Sequence, residues 1–461
     1  MKRRRKMKNE IRKKQRRLNS TAILAGGFLV VILVGTLLLM LPISSASGRA
    51  SDFSDCLFTS VSATCVTGLS VVDTATYWSH FGQTVILCMI QVGGLGFMMI
   101  TVLLSLLIKR NLTPRERMLV MKSYNIDQYD TTLQLVRRIC IGTFGIEFIG
   151  ACVFAIRFIP DFGLGEGIFK SVFHSVSAFC NAGFDIIGVG NESIGGMSHY
   201  LTDPLINVTI MLLIIIGGIG FVVWNDVINL ITKKAKLSVY SRLVLIVTAV
   251  LLVGGAVGFA AIEWNNPQTI GNLSVGEKIL ASSFHSTTLR TAGFAMIDNA
   301  AMGEGSQLLS IIFMFIGGAS GSTAGGVKVA TIGIIFYSVA RVFFGKKDII
   351  LFNRRVTNET FVRATSIVIV QLLLVAIGTA LLLASSPYGV LPTLYEVASA
   401  TGTVGLSLGI TPQLSEFCRA VLMLGMYFGR VGILTVTYAI MMKQDNVESA
   451  VKYPKTNIMI G

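Results

Sequence analysis

Charge is scarce in this chain. Only 14% of its 461 residues are Asp, Glu, Lys or Arg and 52% are apolar, where an ordinary soluble protein carries about 25% charged residues. That balance excludes a water-soluble fold of this size and an intrinsically disordered chain alike. Acid is the scarcer sign, 24 residues against 39 basic ones, for a net charge of +15. The hydrophobicity nevertheless rules out the nucleic-acid binder that such a charge suggests. Cysteine is thin as well: seven residues, scattered without a CxxC or metal-ligand spacing, give neither a disulfide framework nor a zinc site. No Walker motif is present, because Val327 separates Gly326 from Lys328 in GSTAGGVK and Val329 follows. Nucleotide hydrolysis within this chain is therefore not expected, nor is any other enzymatic activity.

What the chain does hold is a series of long apolar runs. The first, 21–41, is 21 residues, about 32 Å as a helix and enough to cross a bilayer core. Further spanning candidates lie near 80–108, 139–159, 204–231, 243–263, 307–340, 364–384 and 417–442, which predicts an integral membrane protein of eight helices. Eight crossings put both termini on one side. Segments assigned to the inner side hold 31 basic residues and those on the outer side four, eleven of the 31 within residues 1–17. The positive-inside rule then places both ends in the cytoplasm of a cell-membrane protein. The outer segments carry 13 acidic residues, which would concentrate cations at an external mouth. Trp78 and Trp264 fall at outer helix ends, where an interfacial aromatic belt expects them. All four histidines, His80, His174, His199 and His285, lie outside, and the matching places of His174 and His285 favour structure over metal binding.

An internal repeat divides the chain. Four outer segments read FTSVSATCVTGLSVVD (58–73), FHSVSAFCNAGFDIIG (173–188), FHSTTLRTAGFAMIDN (284–299) and YEVASATGTVGLSLGI (395–410). Their glycines, Gly68, Gly183, Gly293 and Gly405, are spaced by 115, 110 and 112 residues, a period that chance does not readily supply. A second glycine cluster follows each one, QVGGLGF (91–97), IIGGIGF (215–221), FIGGASGSTAGG (315–326) and YFGRVGI (427–433), with about ten residues inserted in repeat two around 190–200. The reading is a basic tail (1–19), repeat one (20–130), repeat two (131–238), repeat three (239–350) with a loop at 317–328, repeat four (351–442) and a C-terminal tail (443–461). Each repeat is helix, short dipping helix, extended return, helix. An even number of crossings per repeat gives all four one orientation, around an axis along the membrane normal that encloses a pore.

The dipping segments should favour a cation. They are too short to span, and two begin with capping boxes, Ser274 with Glu277 and Thr393 with Glu396 after Pro392. Helix ends therefore point inward, each with about half a negative charge. The chain then returns in extended form, which membrane tolerates only where backbone lines a cavity or coordinates an ion. The residues expected there are Cys65, Val66, Thr67 and Gly68; Cys180, Asn181, Ala182 and Gly183; Arg290, Thr291, Ala292 and Gly293; and Gly402, Thr403, Val404 and Gly405. The tripeptides ending in the four glycines hold no Asp, Glu or His, so carbonyls without fixed charge suit K⁺ better than Ca²⁺.

With these motifs in view, the whole chain from Thr21 onward resembles the Trk/Ktr/HKT superfamily of K⁺ transporters, and in size and plan is similar to the membrane subunit of Ktr systems. The resemblance implies that Gly68, Gly183, Gly293 and Gly405 are selectivity-filter glycines binding K⁺ through backbone, and that Gly rather than Ser at 68 goes with K⁺ preference. It further implies a homodimer, with the C-terminal tail at its interface, Na⁺-stimulated K⁺ uptake, and control by a cytosolic KtrA-type ring that binds ATP or ADP.

Repeat three departs from the others. Its last helix is interrupted by GGASGSTAGGVK, a run too rich in Gly and Ser for a continuous helix. A broken segment at mid-membrane depth must line the pore or be buried, and the family resemblance likewise implies an intramembrane gate loop here. The expected gate residues are Gly317, Gly318, Ser320, Gly321, Ser322, Thr323, Gly325, Gly326 and Lys328, with Arg430 at matching depth in repeat four. Arg430 either anchors the loop through carbonyls or hydroxyls, sets a positive barrier, or pairs with Glu147 or Asp226. The alternative to a gated pore is an alternating-access carrier coupled to Na⁺ or H⁺, with Glu147, Asp226, Lys328 and Arg430 as its intramembrane charges.

Overall fold

The computed structural model describes residues 20–96, 132–188, 196–346 and 349–432. The basic tail, the first inner loop, the lower ends of the 80–108 and 417–442 runs, most of the 190–200 insertion and the C-terminal tail lie outside the described residues. Within them nearly all the regular secondary structure is helical. In order come α1 (Ser20–Leu39), α2 (Phe53–Cys65), α3 (His80–Leu95), α4 (Thr132–Phe162), α5 (Leu164–Phe179), α6 (Pro204–Gly218), α7 (Phe221–Lys233), α8 (Val239–Glu263), α9 (Val275–Thr288), α10 (Glu304–Phe315), α11 (Val329–Phe343), α12 (Asn358–Ser385), α13 (Val390–Gly402) and α14 (Glu416–Val431). A two-residue hairpin, β1 (Ile350–Leu351) with β2 (Arg354–Arg355), joins α11 to α12.

Side chains set the helix starts. Ser79, Asp203, Ser238, Ser274, Thr357 and Ser415 each accept a backbone N–H from the first turn that follows. At α9 the capping box forms as expected, Ser274 N–H donating to Glu277 at 2.9 Å. The box expected from Thr393 and Glu396 does not form. The helix α13 starts earlier, with Gly389 as its cap, the Thr393 hydroxyl donates to the Gly389 carbonyl, and Glu396 turns to other work described below. The candidate span 204–231 is broken in the middle. It is two helices, α6 and α7, bent by 98° where Gly220 takes φ +91°, because Gly218 and Gly220 let the chain turn.

The long apolar helices α4, α8 and α12 could each cross a membrane, and no more than a third of each spanning window is buried. Apolar side chains such as Phe148, Val250 and Leu373 stand out on those faces, the signature of a surface solvated by lipid. The short helices α2, α5, α9 and α13 are the opposite case. Their leading aromatics, Phe58, Phe173, Phe284 and Tyr395, are at most 1% exposed, which fixes each helix deep in the core. Packing then links the segments in a circuit: α3 lies against α5, α6 against α9, α10 against α13, and α14 against α2. Trp78, expected at the interface, is buried instead, edge-on to Tyr77 and paired through its backbone in a short bridge with Ser45, whereas Trp264 is partly exposed.

Candidate functional site

Each short helix ends in a left-handed residue, which breaks the helix and throws the chain into an extended return. Val66, Asn181, Thr291 and Thr403 have φ of +57°, +59°, +63° and +52°, and the glycines two residues on have φ of +95°, +68°, +78° and +95°. A left-handed side-chain-bearing residue costs about 1–2 kcal/mol, and four at equivalent places mark a geometry imposed by the surrounding packing. The N–H groups are taken up internally. Thr67, Ala182 and Val404 each donate to the carbonyl five residues back, Ser62, Ser177 and Ser399, at 2.8 Å. Repeat three, one residue shorter, has Ala292 donate to Thr288 at 3.0 Å.

The four returns meet. A methyl group placed on Gly68 would lie 2.5 Å from the Ala182 carbonyl oxygen, and one on Gly183 would lie 2.5 Å from the Ala292 oxygen and 2.7 Å from Gly293 Cα. On Gly293 it would strike the Val404 oxygen and approach Gly405 Cα to 3.3 Å; on Gly405 it would strike the Thr67 oxygen and approach Gly68 Cα to 3.0 Å. The order 68, 183, 293, 405 thus closes on itself, with one carbonyl beside each glycine. Among the described residues, the carbonyls of Thr67, Ala182, Ala292 and Val404 accept no hydrogen bond, and the buried hydroxyls of Thr67, Thr291 and Thr403 have no partner. Such oxygens are the ligands a desolvated monovalent cation takes.

Above the ring lies one cavity of about 790 Å³, floored by all four glycines. Asp73 and Asp185 line it and, among the described residues, no Lys or Arg does, so its field attracts cations. Hydroxyls in the last turns of the short helices support the ring from behind, a feature the sequence reading passed over. Ser62 and Ser399 accept from the N–H of Gly68 and Gly405 at 3.1 and 3.0 Å, while Ser177 and Thr288 donate to the carbonyls of Phe184 and Phe294 at 2.9 and 2.8 Å. The signal was available as a Ser or Thr five or six residues before every glycine.

Of the sixteen residues expected at the ring, Arg290 points its side chain elsewhere. It is buried and donates to the Gly317 carbonyl at 3.3 Å, while its own carbonyl accepts from the Asn181 amide at 3.2 Å. Cys65, Cys180 and Gly402 lie buried at the helix ends.

Beneath the ring, 316–328 forms an irregular loop between α10 and α11. Its ends are clipped together, Gly317 N–H donating to the Val327 carbonyl at 2.9 Å and Val329 N–H to that of Gly318 at 3.0 Å. Ala319 and Thr323 donate to the carbonyls of Gly218 and Gly217, and the Gly321 carbonyl accepts from Phe221, which ties the loop to the α6–α7 bend. The Ser320 carbonyl accepts from the Tyr240 hydroxyl, Ser322 donates to Ala319, and the Thr323 hydroxyl reaches Phe179 O and Asn181 Oδ1, both at 3.1 Å. Gly325 and Gly326 run against Thr403 and Gly402. Lys328 folds back on the loop, donating to the carbonyls of Ala324 and Gly325 at 2.8 and 3.2 Å. Arg430 donates to the carbonyls of Thr323, Gly93 and Gly94, so one guanidinium joins α14, the loop and the end of α3. Glu147 accepts from Gln91 at 3.0 and 3.2 Å, and Asp226 from Ser238 and Ser241 at 2.6 Å. Carbonyl contacts, one of the three arrangements considered for Arg430, are present among the described residues.

A helical protein with lipid-facing spans, four carbonyls beside four glycines and an acid-lined mouth belongs to the class of membrane cation transporters. Comparison with known proteins gives the family: residues 4–450 match the TrkH family, cation transport proteins. The chain belongs to it and is a transport protein rather than an enzyme. It is 38% identical to the potassium/sodium uptake protein NtpJ of Enterococcus hirae, over 99% of each chain, and 36% identical to the Ktr system potassium uptake protein B of Bacillus subtilis, over 96% of this chain and 97% of the other. The crystal structure of the potassium transporter TrkH from Vibrio parahaemolyticus shares its fold, with a TM-score of 0.67 at 17% identity, covering 91% of this chain and 85% of that one.

Proposed function

We propose that the chain takes up K⁺ through a channel-like pore whose filter is built from the backbone carbonyls at 65–68, 180–183, 290–293 and 402–405. The observation that carries this is the closed circuit of glycine and carbonyl contacts at the floor of one acid-lined cavity. Four inward helix ends add negative potential at the same point, and the names of the relatives, potassium uptake proteins, favour K⁺ as the ion. In this reading eight transmembrane helices form four like-oriented repeats around the pore, with both termini in the cytoplasm of the plasma membrane. Uptake is Na⁺-stimulated and the protein works as a homodimer with a cytosolic nucleotide-binding ring. The Ktr-system names of two Bacillus subtilis relatives support a partner component.

The loop at 316–328 is the gate. It lies against Asn181 and Thr403 from two sides of the ring and is held by Arg430. A partner pulling on α11, which starts directly after Lys328, would draw it aside. Two experiments test the proposal. Expression in a bacterium lacking K⁺ uptake, with and without added Na⁺, should restore growth on low K⁺, more strongly with Na⁺; no growth in either medium from protein present in the membrane contradicts the reading. Deletion of 318–325 should raise flux and make it independent of the partner, and unchanged flux removes the gate role.

A further inference from the structure

The residue that follows the leading aromatic of each short helix is Thr59, His174, His285 and Glu396 in turn. All four are buried, but they attach differently. Glu396 accepts from Ser407 Oγ at 2.6 Å, Leu408 N–H at 3.0 Å and the Thr411 hydroxyl at 2.7 Å. His174 sets Nδ1 2.7 Å from the Lys170 carbonyl and Nε2 2.9 Å from Asp185 Oδ1. Asp185 in turn accepts from the N–H groups of Ile187 and Met197, both at 2.8 Å. Asp185 and Ser407 hold the same place, two residues past their glycines, and both line the outer cavity. His285 instead reaches sideways to Ser310 on α10 at 3.1 Å, and the Thr59 hydroxyl has no partner among the described residues.

Beyond the hydroxyl that supports each return, two of the four therefore carry a second brace from the residue after the aromatic of their own short helix, and the ring order 68, 183, 293, 405 puts those two opposite each other. A carbonyl ring prefers K⁺ only while it resists closing on the smaller Na⁺, and backbone that is held from behind resists better than backbone that is free. Resting on the filter reading above, we infer that Glu396 and His174 are positioning residues for ion selectivity: an opposed pair of polar struts that sets the ring's width across one diagonal.

The test compares initial uptake rates of radiolabelled Rb⁺, standing in for K⁺, and Na⁺ in a bacterium lacking its own K⁺ uptake, with the full chain at matched membrane levels. Glu396→Ala and His174→Ala should each lower the Rb⁺/Na⁺ ratio by about tenfold, the scale of losing hydrogen bonds to a charged or buried polar group. Glu396→Gln, which keeps the shape and one acceptor, should recover most of the ratio, and His285→Ala should leave it unchanged. A ratio unaffected by both strut variants, or lowered equally by His285→Ala, overturns the inference. Should Glu396→Ala fail to reach the membrane, Ser407→Ala with Thr411→Val removes the far end of the same strut and reads the same quantity. Gly405→Ser in parallel separates the two claims: if it shifts the ratio while the strut variants do not, only the struts fail, and if it too is silent the filter reading fails.

Discussion

Gly68→Ser perturbs the ring at a single contact. The residue sits at φ +95°, and the new Cβ would begin 2.5 Å from the Ala182 carbonyl oxygen with Gly183 Cα at 3.3 Å. Neither neighbour is the end of a flexible side chain, so the backbone of the 181–183 return must shift by about 0.9 Å to restore ordinary contact. The left-handed conformation adds about 1–2 kcal/mol for any residue with a Cβ. If that strain falls on the K⁺-bound geometry, apparent K⁺ affinity drops by about 5- to 30-fold, at about 1.4 kcal/mol per tenfold. Na⁺, which does not require the same ring width, should lose less, so the K⁺/Na⁺ ratio falls. Uptake of each ion in the K⁺-uptake-deficient host, wild type against variant with and without Na⁺, reads both quantities. Wild-type K⁺ affinity and ratio in the variant would refute the reasoning, because the Ala182 oxygen would then play no part in binding.

Three further outcomes follow from the same geometry. Ser399→Ala removes the acceptor for the Gly405 N–H at 3.0 Å, and the loss of about 1 kcal/mol should weaken half-saturation by K⁺ about fivefold with little change in maximal rate, as measured by uptake kinetics. Arg430→Gln takes the charged donor from Thr323, Gly93 and Gly94. Losing about 1.5–3 kcal/mol of loop anchoring should raise flux measured without the cytosolic partner, and a fall in flux would contradict the anchoring role. Gly217→Ala sets a methyl against the Phe179 carbonyl and 2.8 Å from the Thr323 hydroxyl, an overpacking worth about 1–3 kcal/mol that should lower the thermal unfolding midpoint in detergent.

The recurring glycines, the break in the third-repeat helix and the aromatic anchors could be read from spacing alone, because each depends on local chemistry repeated along the chain. The circular order of the glycines could not, since it is decided by how α3, α6, α10 and α14 pack on the next short helix, and apolar helices look alike in sequence. Glu396 misled for a related reason. Its spacing from Thr393 satisfied a capping pattern, yet buried as it is the carboxylate gained more from three donors on the 407–411 segment. The 98° bend at 218–220 was hidden because IIGGIGF is as apolar as a straight span. Arg430 left three outcomes open in sequence, because its carbonyl partners at the end of α3 and in the loop come from distant parts of the chain, where a guanidinium has donors to match them.

The claim on which the rest depends is that a dehydrated K⁺ sits among the carbonyls beside Gly68, Gly183, Gly293 and Gly405. Crystals grown in Rb⁺ or Cs⁺, with anomalous difference maps, locate such an ion directly. The account predicts a peak on the axis of the four glycines, weakened in Gly68→Ser. A ring without a peak, with the heavy ion bound elsewhere in the membrane-embedded region, would contradict it.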